Sequence, residues 1–168
     1  MATVAQAAEI HLPVGTEFFL EKVVNSGNIS SGTPGANADW VQVLDPLSIP
    51  AMGSADSEFV DVTSLTDAGP KVKATTGAAR DFAITFNYVD DGSDSDNTDE
   101  GQDAIRLASE NNETRWVRVA IPGIAKHLMA SITFGAWNFS EFERNASIKL
   151  EVSGQINGSL EQVTAPTT

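Results

Sequence analysis

The densest group of side chains able to do chemistry is an acidic run, Asp90-Asp91-Gly92-Ser93-Asp94-Ser95-Asp96-Asn97-Thr98-Asp99-Glu100-Gly101. Carboxylates at alternating positions around a glycine are how calcium loops present oxygen ligands. The register fails here. With Asp96 opening the loop, its last ligand position falls on Leu107, where a bidentate Glu belongs. With Asp94 opening it, Asp99 takes the place of the turn glycine. The run reads as a solvated, charged loop with at most weak, nonspecific divalent binding.

Other catalytic arrangements are missing in the same way. Gly27-Asn28-Ile29-Ser30-Ser31-Gly32-Thr33 has the glycine spacing of a phosphate loop but no Lys to meet the phosphates. There is no Gly-x-Ser-x-Gly or His-Glu-x-x-His pattern, and the two histidines, His11 and His127, are far apart in sequence. The absence of cysteine removes disulfides, thiolate zinc sites, iron–sulfur clusters and thiol nucleophiles together. No catalytic residue, cofactor site or metal site is assigned. Trp40, Trp116 and Trp137 lie on expected strands, where packing in a core or an interface is weighed against a stacking platform for carbohydrate.

The elements that must carry these residues follow from periodicity. Phe82, Ile84, Phe86 and Tyr88 alternate with Asp81, Ala83, Thr85 and Asn87, which is the period of a half-buried strand. Arg115 to Ile121 and Ser147 to Ser153 alternate likewise. Between them Ile132 and Phe134 hold one parity while Trp137 and Phe139 hold the other, which predicts a bulge at Gly135-Ala136. Glu17 to Val24, Trp40 to Leu44 and Glu58 to Val62 add shorter strands. One helix is expected between Asp99 and Asn111, with Ala104, Ile105 and Ala108 on its apolar stripe and Asn111-Asn112 as its stop. The expected fold is mainly β, an antiparallel sandwich or barrel with one short flanking helix.

Asn25 to Ala38, Asp45 to Ser57 and Ser159 to Thr168 are expected to be loops, the last a loose tail. The 168 residues read as one domain over 1–158 followed by a tail over 159–168. No secretory signal is expected from Met1 to Leu12, which carries no Lys or Arg. Ten basic residues against 23 acidic ones leave a net charge of −13, so tight sequence-independent binding of nucleic acid is excluded.

Ile49-Pro50 through Asp56 into Asp61-Val62-Thr63-Ser64-Leu65-Thr66-Asp67, then Gly77 and Asp81-Phe82-Ala83-Ile84-Thr85-Phe86-Asn87-Tyr88, resembles the tail tube (major tail) proteins of long-tailed bacteriophages, or siphophages. Arg115-Trp116-Val117-Arg118-Val119-Ala120-Ile121-Pro122-Gly123 and the strand reaching Ala136-Trp137 are similar to the later part of that family, so the likeness runs from about Ile49 to Ile156. The resemblance implies a non-enzymatic virion protein without cofactor, made in the host bacterial cytoplasm. Its copies would form hexameric rings stacked into a tube that conducts DNA during ejection. Its implied partners are further copies of itself, the tape measure, tip and terminator proteins, and passing double-stranded DNA, with no membrane.

The resemblance also implies a role for Asp61, Val62, Thr63, Ser64, Leu65, Thr66 and Asp67, either as a loop reaching a neighbouring subunit or ring, or as an ordinary turn between strands. Asn25 to Ala38 and Asp45 to Arg80 are expected to order only when rings stack. The alternative function is a carbohydrate- or calcium-dependent binding module on the same kind of sandwich. An enzyme is the weakest reading.

Overall fold

The computed structural model describes residues 15–24, 26–50, 52, 59–61, 72–74, 80–88, 101–144 and 146–166. Along these the chain forms β1 (Glu17–Glu21), a 3-10 turn (Asn37–Asp39), β2 (Trp40–Val43), β3 (Pro46–Ser48), β4 (Phe59–Asp61), β5 (Val72–Ala74), β6 (Arg80–Asn87), α1 (Gly101–Glu110), β7 (Thr114–Ala120), β8 (Lys126–Ser140) and β9 (Lys149–Thr164). Seven strands make one sheet in the order β2-β1-β7-β8-β9-β6-β3, while β4 and β5 pair with each other apart from it. Every pairing is antiparallel.

The alternating residues take the faces their period demands. Phe82, Ile84 and Phe86 of β6, Leu150 and Val152 of β9, Val117 and Val119 of β7, and Phe18 and Leu20 of β1 are all buried in one core. β7 turns into β8 through Ile121-Pro122-Gly123-Ile124. The Ile124 N–H donates to the Ile121 carbonyl at 3.1 Å, and Gly123 takes the positive φ of 82° that the residue after proline needs in such a turn.

The parity change in β8 is where the sequence places it. Register against β9 shifts between Phe134 and Ala136, and again between Met129 and Ser131. Opposite the first shift stands Gly154, where a β-carbon would lie 2.4 Å from the Thr133 carbonyl oxygen. Only a residue without a side chain lets the two backbones approach so closely at the bend.

These bends roll the sheet upon itself. β1 and β6 stand four strand steps apart, about 19 Å in a flat sheet. Yet the Phe18 ring lies 6.5 Å from that of Phe82 and 5.8 Å from that of Phe86, centroid to centroid. The β2-β1-β7 half thus faces the β9-β6-β3 half across a shared core, and α1 adds Ala104, Ile105 and Ala108 to it.

The chain passes directly from one sheet edge, β2, to the other, β3, through Leu44 and Asp45, with Asp45 in the left-handed region at φ 52°. The Asn87 N–H donates to the Asp45 carbonyl at 3.0 Å. From α1, Gln102 Nε2 donates to the carbonyls of both Leu44 (2.9 Å) and Asn87 (2.7 Å). The two edge strands do not pair with each other, so the rolled sheet stays open and is not a barrel.

The helix runs over Gly101–Glu110 and stops where Asn112 turns left-handed at φ 52°, as the Asn111-Asn112 pair predicts. Three expectations are corrected. Pro46–Ser48, expected in a loop, is a short strand, because an edge position tolerates proline, which has no N–H to give the ladder. The expected tail from Ser159 is strand as far as Thr164, since Val163 is buried against Met129 and the segment pairs with the start of β8.

The third correction concerns the loop before β2, most of which is already fastened to its own chain. Ile29 is buried with Trp40, Met129 and Val163. Glu161 accepts from the Ser31 hydroxyl and from the Gly32 N–H. Asp39 accepts from Asn28 Nδ2 at 2.9 Å and from the Ala36 N–H at 2.8 Å, two bonds that hold its carboxyl below the ordinary range, the Ala36 bond most.

Candidate assembly surface

An antiparallel sheet that stays open leaves backbone donors and acceptors along its margins. Among the described residues four such margins occur on the seven-stranded sheet, one of them Asn157 to Thr164 of β9, which pairs with β8 on one side and with no strand on the other. β2 and β3 are the ends of the strand order. Another lies inside it. β7 pairs with β8 only over Leu128 to Thr133, so the stretch from Gly135 to Ser140 pairs with β9 on one side and with no strand on the other.

This makes a four-stranded unit, β3-β6-β9 and the far half of β8, bounded by β3 on one side and by residues 135–140 on the other. Its outward face carries Asp81, Ala83 and Thr85 from β6, Glu151, Ser153 and Gln155 from β9, and Ala136 and Asn138 from β8. These side chains are small, polar or acidic. Lys149, on the same parity at the rim, is tied to Glu141 at 2.5 Å.

Two hollows of about 390 and 540 Å³ open on this unit and share Ala83, Ala136 and Ser153. The first is lined by Thr85, Ser153 and Glu151 and the second by Asp81, Thr133 and Ser153; Ser153 Oγ donates to the Ala136 carbonyl at 3.4 Å and Thr133 Oγ1 lies 2.7 Å from Thr114 Oγ1, contacts that do not involve a carboxylate. No group of three His, Asp or Glu side chains placed to hold a metal occurs among the described residues.

The remaining chemistry-bearing residues are engaged elsewhere. Trp40 is buried and donates from Nε1 to the Pro34 carbonyl at 2.7 Å. Trp116 packs on the cluster beneath the loop before β2, and Trp137 lies against Phe139 and under the guanidinium of Arg106. The three tryptophans are thus packing residues.

His127 accepts at Nδ1 from Arg118 Nη1 at 3.2 Å, a partner that sequence spacing could not suggest because it sits across the β7–β8 pairing. Arg118 itself is buried between the rings of Phe19 and Trp40, which lie 4.1 and 5.0 Å from its guanidinium carbon. Burial lowers its pKa to about 10, against the pull of Glu17. Burial also lowers the pKa of His127, with Arg118 adding to the effect.

Of the residues expected to reach a neighbour, Asp61 closes β4, pairing with Val72. Val62, Thr63, Ser64, Leu65, Thr66 and Asp67 lie outside the described residues, as do His11 and the acidic run from Asp90 to Glu100. The sequence did not indicate the free margin at 135–140. Its signal was the Gly135-Ala136 parity change, which marks where β8 leaves one neighbour and bends.

No family model and no curated protein sequence matches the chain. Solved structures do. The SPP1 tail tube, from solid-state NMR and cryo-EM, aligns with a TM-score of 0.56 over 91% of this chain and 78% of its own, at 13% identity. The tail of an empty gene transfer agent particle, refined with helical and C6 symmetry, aligns at 0.52 over 85% of this chain and all of its own, at 17% identity. The virion of the native gene transfer agent gives 0.51 over 77% and 92%, at 18% identity. The chain has the tail tube fold. The mainly β architecture with one short helix, expected from periodicity, is what this chain shows, as one open antiparallel sheet and not a closed barrel.

Proposed function

We propose that this protein is the structural subunit of a bacteriophage tail tube, a non-enzymatic component of the virion. Its copies close into rings, and the rings stack into a conduit for DNA. The observation that carries the reading is the pair of unpaired margins on opposite sides of one four-stranded unit. β3 is antiparallel to β6, β6 to β9, and β9 to β8. It follows that β3 and residues 135–140 run in opposite directions. Copies related by rotation about an axis along the strands would then set β3 of one beside 135–140 of the next, and the seam would be antiparallel like the rest.

Such a head-to-tail contact uses two different surfaces and closes into a ring. Six copies, the symmetry of the gene transfer agent tail, would contribute about 24 strands, more than the 16 to 18 that already leave an aqueous channel in other barrels. The outward face of the unit would line that channel. The carboxylates of Asp81 and Glu151 on that lining would repel phosphates and its short neutral side chains would not bind them, whereas a basic lining would hold them through counterion release. The loop from Asp61 to Asp67 is proposed to reach the neighbouring ring. Tape measure, tip and terminator proteins are the further partners this role requires.

The cysteine-free chain offers a direct test. Ser48→Cys is combined in turn with Ala136→Cys, Asn138→Cys or Ser140→Cys. Within one copy β3 and β8 are three strand steps apart, about 14 Å, too far for a disulfide. Oxidation of assembled protein is expected to give a covalent ladder of oligomers for at least one pair. Rings that never cross-link would overturn the seam, and wild-type protein that forms no rings under any condition would overturn the function.

A further inference from the structure

The four free margins fall two to a flank. β2 runs through Leu44 and Asp45 straight into β3, so these two margins lie side by side. The other two belong to the β8–β9 ladder: residues 135–140 in the four-stranded layer, and 157–164 in the five-stranded layer β2-β1-β7-β8-β9. The seam proposed for the ring joins only the four-stranded layers. With those lining the channel, the five-stranded layers lie outside them and have further to reach. About 24 inner strands spaced 4.8 Å make a circumference of about 115 Å, and a layer packed 10 Å further out needs about 60 Å more. The roughly 30 outer strands cover about 145 Å of that larger circle, which leaves β2 of one copy and 157–164 of the next about 10 Å apart. That is too wide for hydrogen bonds between them and wide enough for one further segment of chain.

The tongue between β1 and β2, residues 26–36, is placed to fill this wedge. One row of paired residues crosses the outer layer from flank to flank, Gln42, Phe19, Arg118, Met129 and Glu161, a span of four strand steps or about 19 Å. The tongue is rooted at the Gln42 end, where the Lys22 N–H donates to the Asp39 carbonyl at 2.8 Å. It lies over the row, with Ile29 buried together with Met129 and Val163. Its tip ends at the other flank, where one oxygen of Glu161 accepts from the Ser31 hydroxyl and the second from the Gly32 N–H. Ser30 and Thr33 close the tip with two backbone hydrogen bonds of 3.0 and 2.8 Å. All four residues from Ser30 to Thr33 are exposed. Two charge-assisted bonds thus hold a polar tip at the margin before any partner arrives, and a segment ordered in advance loses little entropy on contact.

We infer that the tongue tip, Ser30 to Thr33, is the outer tier of the seam within a ring, and that its partner is the free edge of β2 on a second copy. The inference rests on the tube reading above and extends its seam from one layer to two. Hydroxyls and backbone groups on the tip meet backbone groups and the exposed Gln42 amide on β2. The groups in contact are neutral, and the nearest carboxylate, Glu161, is already occupied by the tip itself. Copies that each carry a net charge of −13 can make such a contact without bringing like charges together.

The test pairs Ser30→Cys or Ser31→Cys with Gln42→Cys in the cysteine-free chain. Within one copy the Glu161 end of the row and Gln42 are about 19 Å apart, too far for a disulfide. Oxidised rings are therefore expected to give a ladder of covalent oligomers. Ser31→Trp, at an exposed position, is expected to leave the urea midpoint of the subunit unchanged and to raise the concentration needed for rings at least about tenfold, because the wedge has no room for an indole. If that variant lowers the urea midpoint, the cross-links alone decide. Rings that link through an inner pair, such as Ser48→Cys with Asn138→Cys, and never through an outer pair overturn the inference and leave the tube reading standing. Folded Ser31→Trp protein that forms rings at the wild-type concentration also overturns it, and would put the tip on the open outer surface of the tube. Wild-type protein that forms no rings overturns the tube reading itself, a result distinct from both.

Discussion

At the scale of single residues, the side chains that matter most hold the rolled sheet in shape. Gln102 spends its amide on two carbonyls, that of Leu44 just past edge strand β2 and that of Asn87 at the end of β6. Replacing it with Leu leaves both acceptors without that donor at a buried position, and a loss of about 1–3 kcal/mol is expected, read from the urea midpoint. His127 makes the subunit sensitive to acid. Its pKa in the folded chain lies below the ordinary value, first because of burial and then because of Arg118. The unfolded chain therefore takes up the proton first. The stability that His127 contributes is present above its ordinary pKa of about 6.5 and is lost as pH falls through the lower folded value. Urea midpoints measured from about pH 7.5 to 5 are expected to fall less for His127→Gln than for wild type.

At the scale of elements, the bend in β8 and β9 decides the fold, and Gly154 permits it. Gly154→Ala would drive a methyl group into the Thr133 carbonyl. Neither backbone can retreat without breaking the ladder, so a cost of about 1–3 kcal/mol and a lower melting temperature are expected. Much of this level is readable without coordinates. The period-two runs in β6 and β7, the switch at Gly135-Ala136 and the Asn111-Asn112 stop are local features whose physics lies within a few residues. What escaped the sequence depends on distant partners. Pro46–Ser48 is a strand only because β6 lies beside it, and Ser159–Thr164 only because the start of β8 does. The loop before β2 is polar in composition, yet a single apolar anchor, Ile29, the distant carboxylate of Glu161 and the local one of Asp39 fasten it. The free margin at 135–140 was illegible for the same reason, because an unpaired edge is defined by where the neighbouring strand stops.

At the scale of the whole molecule, charge and edges act against each other. Copies with a net charge of −13 repel, while in the proposed ring backbone hydrogen bonds along β3 and 135–140 would draw them together. Salt weakens the first and leaves the rest largely intact. Raising ionic strength from about 0.05 to 0.5 M is therefore expected to lower the concentration at which light scattering reports tubes. The corner at Leu44-Asp45 has a mechanical corollary. In the proposed ring, outward pressure becomes hoop tension along the seams, and tension applied to β3 passes through the two residues Leu44 and Asp45 into β2, with Gln102 and Asn87 bracing the joint. A load meant to peel off one strand is thus shared by both walls of the subunit. An overstressed ring should split between copies, each recoiling intact, before any single copy unravels.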